Sequence, residues 1–574
     1  MHRGLHPADR VADYTARGWW GDETMDGLFR ARVAAGPDRE ALLDPADKEA
    51  LTGQSPRRLT WREVDAETDG LADLLLAHGI GAGDVVGLQL PNTVELVVAY
   101  LACWRIGAIV SPLPVQYRER EITELGTLAG FAAFLTAARV GERRPAAEIA
   151  ALRGALPALR TVLAFGDGPD GLPEGVLPVS YAPGAAARVA AHMAAHPADP
   201  NDCVTICWTS GTESTPKGVP RTHLDWLAMS WATVDAPRLT GDDVLLNPFP
   251  MVNMAGINGM FLPWLRVGGV LVQHHPFDLP TFLAQIEAER VTYTVAPPAL
   301  LTMLLAREEL LAATDLSSLR LIGSGSAPLA PPMVRGWQER HGIGIINFFG
   351  SNEGIALLTD PHDVPDPEER ALYFPHFGAP GVTWSSRISG QVAVRLVDPD
   401  TGALVTEPGV PGELRIKGPM VFSGYLGGDA LPSPFDEDGY LKTGDVFVVA
   451  GEDGRFLRYV DRAKDLVIRG GMNIAPAELE GLLAGHPAVA EVAVVGYPDP
   501  VLGEKVCAVV VPRPGAAPAL ADLVEFLRAC RIASFKLPER LELRAELPRN
   551  PVGKILKREL RAALSRPSSP DDTE

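Results

Sequence analysis

Ten residues, TSGTESTPKG at positions 209–218, crowd several kinds of anion donor into one short loop. Thr209, Ser210 and Thr212 carry hydroxyls, Gly211 and Gly218 permit close backbone approach, and Lys217 supplies a cation. Placed after the apolar run CVTICW, such a loop can turn backbone N–H groups and these side chains onto a phosphate. It is not a Walker loop, because Pro216 precedes the lysine, Gly218 follows it, and Pro220 interrupts any helix start. Glu213 sits where a bare carboxylate would repel phosphate unless it turns away or meets Mg²⁺. Alone, the loop is equally well read as a polar turn after a strand.

Further stretches follow in chain order: IGSGSAPL (322–329), NFFGSNEG (347–354), GYLKTGD (439–445), VDRAKDLVIRGGMNIAPAELE (460–480) and LPRNPVGKILKREL (547–560). With the first loop they resemble, in the same order, the motifs of the adenylate-forming superfamily. That superfamily comprises acyl- and aryl-CoA synthetases, peptide-synthetase adenylation domains and luciferases. The chain departs from the family patterns at Glu213 and Ser214 in TSGTTGxPKG, and at Phe349 and Asn352 in YGxTE. A third departure is Asp461, which replaces the first Gly of GRxKDxIxxxGxNIxPxEIE.

The resemblance implies a site for ATP, Mg²⁺ and CoA. Thr209, Ser210, Gly211, Thr212 and Lys217 would hold the phosphates. Gly325, Ser326 and Ala327 would lie against adenine, with Asn347, Phe348, Phe349, Gly350, Ser351 and Asn352 completing the base site. Phe349 keeps a flat stacking face. Glu353 would help hold Mg²⁺ as a hard oxygen ligand, and Asp445 with Arg462 would take the ribose hydroxyls. Lys554, with Glu353 and Thr212, would form the catalytic set. Lys464 falls at the hinge, and Gly470 and Gly471 would later meet pantetheine. Lysine is scarce in this arginine-rich chain, so three lysines at motif positions are hard to dismiss as surface decoration.

Asn253, Met254, Gly256 and Gly350 are the expected acid pocket. No acidic residue lies between Asn247 and Met260 to pair with an α-ammonium, which disfavours an α-amino acid. The apolar flanks suggest a fatty, alicyclic or aryl acid. With no carrier domain after Lys554, free CoA is the expected acceptor. A separate acyl-carrier protein is the alternative, and a nucleotide-binding regulatory protein without catalysis is a more remote one.

The elements that must position these residues read as strand–helix–strand through most of the chain, which implies α/β layers with largely parallel sheets. Between Gly390 and Gly451 short strands with turn dipeptides suggest a β-barrel-like subdomain. After it, strand–helix–strand patterns suggest a small mobile α+β domain. The division expected is 1–460 for the ATP- and acid-binding domain and 461–574 for the C-terminal domain with the catalytic lysine. APGAAARVAAHMAAHPADP, rich in Ala and Pro, reads as a surface linker or excursion.

Composition narrows the partners. A formal charge of −20 opposes nucleic acid and anionic membranes. Five scattered cysteines without a CxxC pair, and an N-terminus without an apolar signal segment, make a cytoplasmic setting the expectation. VELVVAYLACWRIGAIV is interrupted by Glu95 and Arg105, so no membrane span is expected. A homodimer is compatible with the sequence.

Overall fold

The computed structural model describes residues 4–166, 171–181, 185–209, 216–399, 401–428, 431–469, 472–530, 532–550 and 553–564. The apolar runs form two sheets. In the first, seven strands run in the order Val176–Pro178, Thr161–Phe165, Phe131–Ala137, Val85–Gln89, Ile109–Pro112, Cys203–Trp208 and Gly218–Thr222. All neighbours are parallel except the last pair, which is antiparallel. In the second, of eight strands, Val270–Gln273, Val244–Asn247, Tyr293–Val295, Leu321–Gly325 and Gly344–Ser351 are parallel neighbours, and Ile355–Thr359 returns antiparallel.

The helix Val94–Arg105 is buried along all 12 of its residues, which accounts for its apolar run without a membrane. Its two charges are neutralised inside the protein. Glu95 accepts from Lys48 at 2.7 Å and Arg57 at 2.9 Å, and Arg105 reaches Asp26, Asp65 and Asp69 at 2.7–2.9 Å. Buried charges persist only when paired in this way. Among the described residues no helix is long and apolar enough to cross a membrane.

Six antiparallel strands form the third sheet, in the order Tyr373–Pro375, Phe456–Arg462, Leu441–Ala450, Gly412–Lys417, Ala393–Val397 and Leu404–Val405. The last sheet joins Val467–Arg469, Met472–Ile474, Val489–Asp499, Gly503–Pro512 and Arg540–Leu543. Helices Pro476–Leu483 and Leu520–Ala529 close over it, with Leu479, Leu483, Val494, Val506, Leu523 and Leu527 in its own core. The architecture is therefore the expected one: α/β layers, a barrel-like sheet and a small α+β lobe. One local expectation gains detail. The Ala/Pro-rich linker contains a helix, Ala185–Ala195, packed on helix Trp61–Ala77. Its His192 Nε2 lies 3.0 Å from the Ile106 carbonyl, and Val189 is buried. Alanine's high helix propensity outweighs the flanking prolines here.

Candidate active site

The loop at 209–218 is the turn between strands Cys203–Trp208 and Gly218–Thr222, and the Thr209 N–H donates to the Lys217 carbonyl at 3.0 Å across its neck. Ser210, Gly211 and Thr212, with Glu213, lie outside the described residues, as do Gly470 and Gly471. Lys217 is half-buried, its ammonium 5.2 Å from the Tyr425 ring centroid. The same tyrosine donates its hydroxyl hydrogen bond to Glu353 Oε1 at 3.0 Å. Tyr425 therefore bridges the loop's cation to the carboxylate expected to hold Mg²⁺. Sequence reading missed it, because FSGYLG looks like an ordinary turn. A tyrosine there offers one face for a cation and one hydroxyl for an anion.

Glu353 is held from several directions. Its carbonyl accepts from Phe422 N at 2.9 Å. The next residue, Gly354, has φ of 109°, and a Cβ there would overlap the Met420 carbonyl, so glycine alone fits. Arg221, fully buried, donates to the carbonyls of Asn352 (2.6 Å) and Met420 (2.8 Å). Its charge is met by Asp225 at 2.7 Å, and its guanidinium lies 4.2 Å from the Trp226 ring. The N-terminal segment grips the same loop: Arg10 donates to the carbonyls of Gly418 and Val421, and Trp20 Nε1 to that of Pro419. Sequence reading missed Arg221 too; its one signal was a lone arginine in the strand-like run GVPRT.

In the turn expected to meet adenine, a Cβ at Gly325 would overlap the Phe348 carbonyl, and Ser326 takes a left-handed φ of 70° in an exposed turn with Ala327. A non-glycine residue in that region marks a constrained position. Phe349 packs against Phe447, Phe374 and Tyr459, with centroids 5.0–5.9 Å away. Asn347 Nδ2 donates to the carbonyls of Arg370 (3.1 Å) and Ala371 (3.0 Å), so its donors serve the protein interior rather than an adenine edge. Ser351 is half-buried beside them.

The segment expected to face the acid starts at Asn253, whose Oδ1 accepts from Ala255 N at 3.0 Å and caps the helical turn. Asn352 Oδ1 accepts from Met254 N at 2.7 Å, tying this segment to the Glu353 turn. Met254's thioether covers Gly350, and a Cβ at Gly256 would overlap the Pro250 carbonyl.

The third group spans two lobes. Asp445 and Arg462 pair across adjacent barrel strands, with Nε 3.2 Å from Oδ1. Burial pushes the Asp445 carboxyl up to about 6, with Arg462 and then Lys554 countering it. Lys554 projects from a tight turn of the tail lobe, where its N–H donates to Asn550 Oδ1 at 2.8 Å and Gly553 has φ of 83°. Lys554 is exposed as a residue, yet neighbouring protein atoms crowd its ammonium. That crowding, followed by the Arg462 charge, brings its ammonium down to about 8. Lys464 is exposed beside this group, in the connection between strands Phe456–Arg462 and Val467–Arg469. No cluster of three or more metal-ligating side chains exists among the described residues. Mg²⁺ takes one or two carboxylates and completes its shell with phosphate and water, so Glu353 fits it.

Facing lobes that bring lysines, an arginine and carboxylates to one cleft define a class: an anion-handling enzyme whose site is shared between a large body and a small tail lobe. The chain belongs to the AMP-binding enzyme family, whose model matches residues 29–426, while the AMP-binding enzyme C-terminal domain matches residues 478–554. The medium-chain fatty-acid–CoA ligase of Escherichia coli K12 is 31% identical over 97% of this chain and 93% of its own length. The salicyl-AMP ligase/salicyl-S-ArCP synthetase of Mycobacterium tuberculosis H37Rv is 32% identical over 99% and 95%. ATP-bound MatB from Rhodopseudomonas palustris superposes with a TM-score of 0.73 at 28% identity, covering 94% of this chain and 99% of that one.

Proposed function

We propose that the protein joins a carboxylic acid to the α-phosphate of ATP, releasing pyrophosphate, and then passes the acyl group from AMP to the thiol of CoA. In the first step a carboxylate oxygen attacks the α-phosphorus and the bond to the β-phosphate oxygen breaks. Positioning two anions and neutralising their charge is the main task. Lys217, Thr209 and the loop residues Ser210, Gly211 and Thr212 hold the β- and γ-phosphates. Glu353, steadied by Tyr425, would hold Mg²⁺, which would offset phosphate charge. Gly325, Ser326, Ala327 and Phe348 to Asn352 surround the base. Asp445 and Arg462 take the ribose, and Lys554 bridges acyl and α-phosphate oxygens. In the second step the thiol attacks the acyl carbonyl, AMP leaves, and the tail lobe turns about Lys464 to bring Gly470–Gly471 to the thiol.

The observation that carries this reading is Lys554 of the tail lobe standing within electrostatic reach of Asp445 and Arg462 of the barrel. Lys554→Ala is expected to lower pyrophosphate release by about two orders of magnitude or more, in line with loss of a group that stabilises charge only during the reaction. Thioester formation from supplied acyl-adenylate should survive. Equal loss of both half-reactions would refute lobe alternation. The similarity to the salicyl-S-ArCP synthetase favours one other acceptor, a separate carrier protein. Acid-dependent pyrophosphate release without CoA thioester, converted to loading when a carrier is added, would select it.

A further inference from the structure

Two fully buried side chains beside the acid-facing segment hold polar atoms that pair with nothing among the described residues: both carboxamide atoms of Asn258, and the Tyr293 hydroxyl. An unmade hydrogen bond of this kind costs about 1–3 kcal/mol, so a buried orphan calls for a reason. Asn258 lies in Ile257–Phe261, wound as a π turn, a geometry common at functional sites. Its backbone carbonyl accepts from Thr233 Oγ1 at 2.7 Å, which anchors the turn and leaves the carboxamide unused. One wide turn earlier is Met254, whose thioether covers Gly350. Tyr293 lies in the strand next to Leu245 in the second sheet. Its hydroxyl lies 2.8 Å from where a Gly323 Cβ would stand, and the Phe348 ring tip lies 2.7 Å from that point. Phe348 and Gly350, two residues apart on strand Gly344–Ser351, face the same side of the sheet, so Met254 over Gly350 and the Tyr293 hydroxyl near the Phe348 ring lie against one face.

We propose that Asn258 and Tyr293 form a polar floor to the acid pocket. It selects an acid that carries a hydroxyl or keto oxygen at the end remote from its carboxylate, on a ring rather than a plain alkyl chain. This rests on the acid-activation reading above. A carboxamide donates and accepts, and a phenol does both, so either can satisfy a hydroxyl or a keto oxygen. An acid without the oxygen leaves both groups unpaired, and sites built to bond an oxygen discriminate strongly against analogues that lack it. Met254, unbranched and flexible, is the wall that shifts to admit the ring.

The test is acid-dependent pyrophosphate release with matched pairs: benzoate against meta- and para-hydroxybenzoate, cyclohexanecarboxylate against its keto derivative, and octanoate against its terminal hydroxy derivative. The wild type is expected to favour the oxygenated member of a ring pair by about tenfold or more in kcat/KM. Asn258→Leu and Tyr293→Phe should each bring that ratio towards one while retaining turnover of the unsubstituted acid. Neither should lower the melting temperature without acid, because neither removes a hydrogen bond made within the protein. Tyr293→Phe, which deletes a single oxygen, decides the matter if Asn258→Leu does not fold. Release with a flat ratio in the wild type, or a ratio that survives both substitutions, overturns this inference alone. No release with any acid overturns the acid-activation reading and this inference together.

Discussion

In the reaction proposed above Lys554 and Asp445 have opposite tasks, and each is shifted towards neutral pH by its surroundings. Lys554 must be protonated to bridge two anions, and crowding brings it down to about 8. Asp445 must be ionised to accept from ribose hydroxyls, and burial brings it up to about 6. Protonation therefore silences Asp445 below about pH 6, and deprotonation silences Lys554 above about pH 8. The kcat/KM for pyrophosphate release, measured against ATP from pH 5 to 9.5, should be bell-shaped, because it reports ionisations of the free enzyme. Lys554→Arg should retain some activity and lose the alkaline limb; a wild-type profile flat above pH 8 would remove Lys554 from the charge count. These residues could be read from the sequence because their chemistry belongs to their type and motif. Tyr425 and Arg221 could not, since each acts through a partner 72 or 131 residues away. The rest of the site is held by them. Arg221→Leu should weaken the response to Mg²⁺ about tenfold or more by loosening the Glu353 turn, and Arg221→Lys should restore it partly. An unchanged Mg²⁺ titration in Arg221→Leu would show that the turn holds itself.

At the scale of elements, Asp461 explains its own departure from the family's glycine. Helix Pro476–Leu483 begins after Ala475, which has no side-chain acceptor for the first N–H groups. Asp461, on the barrel strand Phe456–Arg462, supplies it instead: Oδ2 accepts from Ala477 N at 2.8 Å and Oδ1 from Arg462 N at 2.7 Å. A carboxylate at a helix N-terminus meets both unpaired N–H groups and the helix dipole. This cap ties the tail lobe to the barrel in the orientation that brings Lys554 to Asp445. Losing an N-cap costs about 1 kcal/mol, so Asp461→Gly should favour other lobe orientations by about fivefold. Adenylate formation is expected to slow by about that factor, with thioester formation from supplied acyl-adenylate unchanged or faster. If both half-reactions slow equally, the cap serves helix stability alone. The sequence shows Asp461 only as a departure from the family glycine, and a cap supplied from another lobe has no local signature.

At the scale of the whole molecule, the layers were legible because strand and helix periods alternate cleanly, and the barrel because turn dipeptides cluster there. What stayed hidden was how the layers close on one another: the buried helix Val94–Arg105, and the N-terminal segment whose Arg10 and Trp20 clamp residues 418–421. The same closure buries His223, whose Nδ1 accepts from Met25 N at 3.0 Å. A ring that accepts there is neutral, and burial holds its pKa down at about 3. Above pH 6.5, His223 is neutral in both folded and unfolded chains, and its contribution is complete. Below pH 6.5 the unfolded chain binds a proton that the folded one refuses, so stability falls by up to about 1.4 kcal/mol per pH unit until about pH 3. Asp445 acts with the opposite sign between about 6 and 3.8, so the wild-type slope alone is ambiguous. His223→Asn resolves it, since an amide oxygen can still accept from Met25 N but cannot titrate. Trp384 is the last tryptophan in the sequence, so tryptophan fluorescence follows the large body without the tail lobe. Urea unfolding followed this way from pH 7 to 5 should show the variant losing less stability than the wild type, by nearly one proton's worth of slope below pH 6. Parallel slopes would mean that His223 is protonated in the folded protein and that the closure around it is looser than its contacts imply.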